Sequence, residues 1–404
     1  MSKVPRCRVL GPLAEYADGF RVELDRLGYT AMSREYKVNQ VGRLSRWMAA
    51  QQLGVGDLDH ARLAAFLATM ATSRRRPPTV AAMKPLLDFL RARGVPVSDK
   101  ECVAPPGQLD ELLDDYRQWM TADRALAGRT IGRYETTARR FLAERAAAVG
   151  DGTGANAVTA CAVTAFLLAE VSRGLARGSL QGRVAELRSL LRFLYLKGFT
   201  DTEVARAVPP LPGWKDTAVP PRLATAQVRA LLDSCDRATT TGMRDHAMLA
   251  LLARLGLRAA EVAGLSLDDM CWRAGEVVVR GKGRREDRLP LPADVGDSVT
   301  RYLLEARPHA ESRNLFLTVM APHRPLWPTA VSQVVWRQSL RAGLAPLRAH
   351  RLRHALATDL LDRGVRLPEI AQVLRQRDLA TTAVYAKVDH TALRELALPW
   401  PVTR

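Results

Sequence analysis

The segment HRLRHALATDLLDRGVRLPEIAQVLRQRDLATTAVYAKV, residues 350–388, has a histidine and several arginines at one end and a single tyrosine, Tyr385, near the other. His350 and Arg353 are three residues apart, so on a helix they project from one face, while Leu352 and Leu356 face another way into a core. A basic helix face usually contacts solvent or phosphate, and a lone tyrosine is usually buried with its hydroxyl hydrogen-bonded. Whether this segment is structural or catalytic therefore depends on which residues accompany it in the rest of the chain.

The composition indicates a globular protein whose partner is a polyanion. The chain has 404 residues, enough for two or three domains, and its formal net charge is +18. Because the basic residues are spread over every segment, double-stranded DNA is the expected partner. The first residues, MSKVPRCRVL, contain no apolar run of signal-peptide length, and no stretch approaches the ~20 apolar residues that span a bilayer. We therefore expect a cytoplasmic protein without a membrane segment.

The cysteines, the acidic residues and the few lysines indicate which kinds of site to expect. The five cysteines have no C-x-x-C spacing, so neither a disulfide framework nor a zinc site is expected, and small buried side chains are the simpler interpretation. Asp268 and Asp269 follow a helix end and read as a cap or turn, so no metal or other cofactor is expected. Of the 60 basic residues only 8 are lysine, so the chain uses arginine at most positions that need a positive charge. A lysine at a tight turn is therefore a candidate for a chemical role that arginine cannot fill.

A sequence repeat predicts two similar helical modules. LAAFLATM (63–70) and LDFLRARG (87–94) recur as VTAFLLAE (163–170) and LRFLYLKG (191–198). The apolar spacing of three and four residues is typical of amphipathic helices in a small bundle. A duplicated scaffold is the simpler account, but arginine clusters at loops and helix starts favour modules that grip DNA.

One proline-containing stretch, VPVSDKECVAPPGQ (95–108), separates the two modules, and a second separates them from a different C-terminal region. The predicted boundaries are 1–100, 101–207, a linker at 208–222 with five prolines, and 223–404. The last region is helical except for GEVVVRGKGRREDRLPLP (275–292), where a β-branched run, a Gly-Lys-Gly turn and a returning run predict a hairpin. The fold class is therefore mainly α with a small β-sheet or hairpin.

The C-terminal region also contains residues suited to phosphoryl transfer. Glu261 lies three residues after Arg258, where it can hold the guanidinium, although a surface ion pair is the default interpretation of such a pair. Lys282 lies at the tip of the hairpin and can give up a proton, which an arginine cannot. Two guanidinium groups can bind one phosphate without a metal, and Tyr385 can attack phosphorus to form a covalent phosphotyrosine.

The order of these motifs supplies the context. GLRAAEVAGL, RGKGRREDRLPLP, HRLRHALATDLLDRGV and TTAVYAKV, in this order, resemble the tyrosine recombinase (phage integrase) family, and the module at 109–200 looks like its core-binding helical domain. The resemblance covers roughly 223–397 and implies a role for each matching residue. The implied roles are the first catalytic arginine for Arg258, its acidic partner for Glu261, the leaving-group acid for Lys282, the histidine-or-lysine position for His350, the second arginine for Arg353 and the nucleophile for Tyr385.

Two departures from the family stand out. Where the family commonly has leucine, glycine and histidine, this chain has Leu374, Arg375 and Gln376, and glutamine donates a hydrogen bond but carries no charge. Arg375 or Arg377 can supply the missing charge, and slower cleavage is expected. The additional module at 1–100 is either a second core-binding domain, which the shared landmarks favour, or an arm-type domain.

The resemblance implies site-specific DNA strand exchange in integration, excision or transposition of a mobile element. It implies a 3′-phosphotyrosyl intermediate, a Holliday junction and a tetramer on two DNA sites, with partner recombinases or DNA-bending factors as further candidates. A type IB-like topoisomerase shares the chemistry but acts as a monomer without site choice. A DNA-binding architectural or regulatory protein that has lost catalysis is the alternative from another class, and Gln376 is its only support.

Overall fold

The computed structural model describes residues 8–71, 79–97, 107–150, 152–175, 177–201, 203–208, 223–281 and 286–376. Contacts group the chain into two units. One unit combines Met1–Leu58, Arg62–Val97 and Asp216–Arg404, and the other combines Asp59–Ala61 with Ser98–Lys215. Most of the described residues are helical, and three short strands form one sheet. The expected fold class, mainly helical with a small sheet, is confirmed.

Four α-helices occupy the described residues of the N-terminal part, 8–71 and 79–97. They are α1 (Ala17–Arg26), α2 (Ala31–Ala50), α3 (His60–Ala71) and α4 (Val80–Ala92). Their apolar faces form a separate core, in which Phe20 of α1 packs on Phe89 of α4 with ring centroids 5.6 Å apart. Trp47 of α2 packs in the same way on Phe66 of α3, at 5.8 Å.

Four further helices form the second unit. They are α5 (Gln108–Ala122), α6 (Gly128–Val149), α7 (Ala160–Ser172) and α8 (Arg177–Leu196). Tyr116 of α5 packs on Phe193 of α8 at 5.1 Å, and Phe141 of α6 packs on Phe166 of α7 at 5.3 Å. In both groups an aromatic ring of the first helix meets one of the fourth, and a ring of the second meets one of the third. In the sequence repeat, Phe66 corresponds to Phe166 on the third helix of each group, and Phe89 corresponds to Phe193 on the fourth.

Seven α-helices lie in the C-terminal part of the chain within residues 223–281 and 286–376. They are α9 (Thr225–Asp233), α10 (Thr240–Arg254), α11 (Ala259–Gly264), α12 (Ala293–Arg301), α13 (Pro328–Arg341), α14 (Ala349–Asp362) and α15 (Leu367–Val373). Helix α10 is the centre of this core, since every residue from 247 to 253 is buried. Thr239 begins it by accepting a hydrogen bond from the N–H of Gly242 at 3.0 Å. A helix buried on all sides gives the elements around it a fixed support.

The sheet is antiparallel and contains β1 (Met270–Cys271), β2 (Glu276–Arg280) and β3 (Glu286–Pro290), with β2 in the middle. Val277, Val278 and Val279 of β2 are buried. Arg280 lies opposite Glu286, so β2 and β3 form the hairpin that the β-branched run predicts. Lys282 belongs to residues 282–285, which lie outside the described residues.

Residues 209–222, the proline-rich stretch, also lie outside the described residues. Within the described part of the chain, no helix has both the length and the apolar character needed to cross a membrane.

Candidate functional site

Arg258 lies at the turn between α10 and α11. The turn requires Gly256, whose φ is +59° and where a Cβ atom would lie 2.8 Å from Leu374. The Arg258 backbone N–H donates to Glu261 Oε2 at 2.8 Å, and its Nη1 donates to Oε1 at 2.5 Å. Glu261 therefore caps α11 and holds the guanidinium, as the three-residue spacing predicts. The Arg258 side chain remains 45% exposed, so it can reach a ligand.

Arg375 binds the other side of the same carboxylate. Its Nη2 donates to Glu261 Oε2 at 2.8 Å, although 114 residues separate the two. Burial by itself raises the pKa of the Glu261 carboxyl, but the Arg258 N–H and the charges of Arg375 and Arg258 outweigh that effect, so the pKa lies below its usual value. Glu261 is thus ionised near neutral pH and joins two guanidinium groups.

Arg353 is buried beneath this cluster, with 1% of its surface exposed. Its Nη1 donates to the carbonyl of Gly256 at 2.6 Å, and its Nη2 donates to the carbonyl of Leu374. The three-residue spacing does not give the two side chains equal access to solvent, because His350 is exposed and Arg353 is not. The reason is that two backbone carbonyls, which come from distant parts of the chain, draw the guanidinium inward. Arg353 thereby links the turn before Arg258 to the end of α15.

His350 packs edge-to-face on His354, with ring centroids 4.3 Å apart. Although His350 is exposed, the protein atoms on one side of its ring partly desolvate it and lower its pKa, and the charges of Arg353 and Arg258 lower it further. Burial, together with His350, Arg351 and Arg353, lowers the pKa of His354 to about 4. His350 is therefore neutral at pH 7 and can accept a proton. His354 was not predicted as part of the site, although its four-residue spacing from His350 indicates a contact on one helix face.

Acid should destabilise the fold through His354. An unfolded histidine takes up a proton near pH 6.5, whereas His354 in the fold does so near pH 4. Between these values the unfolded state binds more protons, so stability falls as the pH drops, by roughly 1–2 kcal/mol from pH 7 to pH 5. Thermal melts across this range measure the loss. His354→Gln should flatten the dependence, and replacing the exposed His309 by Gln should leave it intact; equal slopes in all three proteins would contradict the assignment.

The remaining predicted site residues are described only in part. Gln376 follows α15, is half-buried, and donates its backbone N–H to the carbonyl of Ala371 at 2.9 Å. Lys282 and Tyr385 lie outside the described residues, as does Arg377. Of the two arginines that can replace the charge missing at Gln376, Arg375 is therefore the one whose contacts the structure shows.

Acidic residues in the described ranges do not form a metal cluster. No group of three or more His, Cys, Asp or Glu side chains suited to a metal occurs there. Asp269 accepts the N–H of Ser266 at 2.8 Å, and Asp268 binds Arg313. The interpretation of this pair as a cap and turn is confirmed.

The second unit holds four arginines around two buried glutamates. Glu170 and Glu186 each have side chains that are 3% exposed. Ion pairs connect them to arginines on α6, at the end of α7 and on α8. The pairs are Glu170 with Arg140, Arg173 and Arg183, and Glu186 with Arg133 and Arg183. Glu144 lies 3.7 Å from both Arg140 and Arg173, so four positive charges meet three negative ones. The cluster keeps an excess of about one positive charge, which suits a phosphate-binding surface.

Glu186→Gln should destabilise the second unit by about 1–3 kcal/mol. The substitution leaves Arg133 and Arg183 near a buried neutral amide, so the arginines lose a counter-charge that solvent does not replace. Denaturant unfolding followed by circular dichroism measures the change. Glu111→Gln is the matched control, because Glu111 is exposed on α5 and its loss should cost less than about 0.5 kcal/mol. Equal stability of the two variants would show that the buried carboxylate is not needed.

Comparison of the sequence with protein families finds a match to the phage integrase family over residues 221–391. Among curated proteins, the chain is 37% identical over 396 residues to y4rA of Sinorhizobium fredii, named as an integrase/recombinase, covering 97% of this chain and 95% of that protein. It is 28% identical over 294 residues to the tyrosine recombinase XerD of Listeria monocytogenes, covering 71% of this chain and 97% of XerD.

Two solved structures share the fold. One is the XerH site-specific recombinase bound to its palindromic difH substrate after cleavage, with a TM-score of 0.54 and 17% identity, covering 75% of this chain and 99% of that one. The other is a lambda integrase tetramer bound to a Holliday junction, with a TM-score of 0.53 and 15% identity, covering 82% of this chain and 90% of that one.

Proposed function

The chain belongs to the phage integrase family of tyrosine recombinases, and we propose that it exchanges DNA strands at specific sites of a mobile element through a 3′-phosphotyrosyl intermediate. Family membership makes it a DNA-binding site-specific recombinase. The observation that carries the finer proposal is the convergence of Arg258, Arg353 and Arg375, from three separate parts of the chain, on Glu261 and the Gly256 turn.

The proposed chemistry is an in-line exchange of one phosphoester for another. The Tyr385 hydroxyl attacks the scissile phosphorus and forms a phosphotyrosine, while the bond to the 5′-oxygen breaks. Lys282 gives that oxygen a proton, so the DNA leaves with a free 5′-hydroxyl. In the proposal His350 accepts the tyrosine proton, which is supported by its lowered pKa, since a neutral imidazole can act as a base. Attack by the 5′-hydroxyl of another strand reverses the step and restores the phosphodiester.

The positive charges have a separate role in the proposal. The exposed guanidinium of Arg258 binds the non-bridging oxygens and stabilises the charge that develops in the transition state. Arg353 corresponds to the second arginine of the family. Its contacts with the carbonyls of Gly256 and Leu374 hold the backbone two residues before Arg258 and two residues before Gln376. A preorganised site of this kind does not need to reorient dipoles during the reaction.

We propose one role for each of the predicted segments of the chain. We assign residues 1–100 to a duplicated core-binding module, 101–207 to the core-binding module itself, 208–222 to a linker and 223–404 to the catalytic domain. The shared pattern of aromatic packing supports the duplication, and the arginines around Glu170 and Glu186 support DNA binding by the second module. A tetramer on two DNA sites is proposed by analogy with the lambda integrase tetramer.

A strand-exchange assay tests the proposal against its alternatives. Two copies of the DNA that flanks the gene are placed on one plasmid, the protein is expressed, and recombinant junctions are sequenced. Junctions at one defined position support site-specific exchange. Relaxation of any supercoiled plasmid without junctions would indicate a topoisomerase, and binding without relaxation or junctions would indicate an architectural protein.

A further inference from the structure

Arg375 adopts a backbone conformation that proteins usually reserve for glycine. Its φ is +53°, and it directly follows the cap of α15. The Gln376 N–H donates to the Ala371 carbonyl and the Arg375 N–H to the Gln372 carbonyl, each at 2.9 Å, which is the paired pattern of a glycine-type helix end. A side chain at this position is strained, so its presence calls for a compensating interaction.

The compensating interaction is the contact with Glu261. The Arg375 side chain is only 7% exposed, and its Nη2 lies 2.8 Å from Glu261 Oε2. Its Nε is buried and has no hydrogen-bond partner in the described part of the chain.

The charge around Glu261 shows what Arg375 adds. Arg258 and Glu261 alone form a pair with no net charge, so the carboxylate offsets the charge that Arg258 presents to a phosphate. With Arg375 on the second carboxylate oxygen, the three groups carry a net charge of about +1. Gln376, the next residue, is uncharged where the family commonly has histidine. Arg375 thus supplies a positive charge one residue before Gln376, the position where the family's histidine is replaced by an uncharged side chain.

We propose that Arg375 is a positioning residue for DNA cleavage, which holds Glu261 and through it Arg258, and offsets the charge missing at Gln376. The proposal rests on the recombinase function proposed above. Through the shared carboxylate, Arg375 fixes the direction in which Arg258 points and keeps Glu261 from cancelling its charge.

Arg375→Gly is the first test. Glycine suits the backbone, so the variant should fold with a melting temperature within about 3 °C of wild type, yet single-turnover cleavage should slow by about 10- to 100-fold. The substrate is a duplex with the cleavage position found by sequencing junctions. Gln52→Gly is the matched control: Gln52, with φ +55°, ends α2 in the same paired pattern, is exposed, and should leave cleavage unchanged. Arg375→Lys, which keeps the charge, should recover part of the rate.

Two further measurements separate positioning from mere stabilisation. On a duplex whose scissile phosphate carries a methyl group in place of one non-bridging oxygen, there is no full negative charge to neutralise. The defect of Arg375→Gly should therefore shrink to less than about threefold, whereas a general loss of structure would slow both substrates equally. Adding Gln376→His should raise the rate more in Arg375→Gly than in wild type, because the two side chains supply the same charge.

The outcomes distinguish this proposal from the one on which it rests. A wild-type protein that cleaves while Arg375→Gly cleaves at the same rate overturns the role of Arg375 and leaves the recombinase function standing. An equal defect on both substrates also overturns it. A wild-type protein that forms neither junctions nor covalent adducts overturns both.

Discussion

Tyr385→Phe is expected to abolish covalent attachment to DNA while it leaves DNA binding within about twofold of wild type. Phenylalanine has the same ring but no oxygen to attack phosphorus, so no phosphotyrosine can form. Binding should persist because it depends on arginines spread over the chain, whose net charge of +18 is unaffected. The measurement is denaturing gel electrophoresis of the protein with labelled DNA that flanks its gene, alongside a binding titration at fixed salt.

The matched control for this prediction is Tyr195→Phe. Tyr195 lies on α8 and is 43% exposed, so the variant loses a hydroxyl without disturbing a core. It should form adducts at the wild-type rate. Adducts that persist in Tyr385→Phe would mean that another residue is the nucleophile, and sequencing the attached peptide would identify it.

Local patterns explain why much of the fold was predictable. The hairpin depends on neighbouring residues only: a β-branched run pairs with the run that follows a glycine-containing turn, and β2 and β3 form there. Helix positions depend on apolar spacing in the same way, and the phenylalanines of the repeat, Phe66 with Phe166 and Phe89 with Phe193, take matching places in their bundles. The grouping of the chain into two units was not predictable in this way. One unit contains both residues 62–97 and residues 216–404, and such a grouping depends on long-range packing that apolar spacing does not encode.

In the candidate site, too, the local contacts were predictable from the sequence and the long-range ones were not. The contact between Arg258 and Glu261 follows from a spacing of one helical turn, so it was predictable. The contact between Arg375 and Glu261 joins residues 114 apart, and the acceptors of Arg353 are backbone carbonyls at Gly256 and Leu374. Backbone carbonyls have no sequence signature. A sequence therefore identifies which arginines are candidates but not which one is buried.

The strain at Arg375 was, however, visible in principle. A family that commonly has glycine there indicates a left-handed conformation after the helix, and an arginine at such a position departs from local preference. Departures of this kind are enriched at functional sites, and Arg375, unlike the exposed Gln52 with a similar φ, has a buried side chain in an ion pair. In this chain the departure and the missing histidine lie at adjacent positions, so the two substitutions are best interpreted together.

Lys282→Ala is expected to slow DNA cleavage by about 100- to 10,000-fold at saturating protein. The 5′-oxygen of DNA is a poor leaving group as an alkoxide, and an ammonium group beside it supplies the proton as the bond breaks. Arginine does not replace lysine in this role, because its guanidinium stays protonated. Arg285→Ala is the matched control, since it removes one positive charge from the same interval of the hairpin and should affect binding more than the rate of cleavage.

A duplex with sulfur in place of the 5′-bridging oxygen decides whether Lys282 acts as an acid. A thiol has a pKa near 8.5, so the leaving group departs as a thiolate and no longer needs a proton. The defect of Lys282→Ala should then shrink to less than about tenfold. Arg258→Ala should remain as slow on the sulfur substrate as on the oxygen one, because the charge on the non-bridging oxygens is the same in both. If sulfur rescued neither variant, Lys282 would act on the phosphate and not on the leaving group, and the acid would have to be sought elsewhere in the chain.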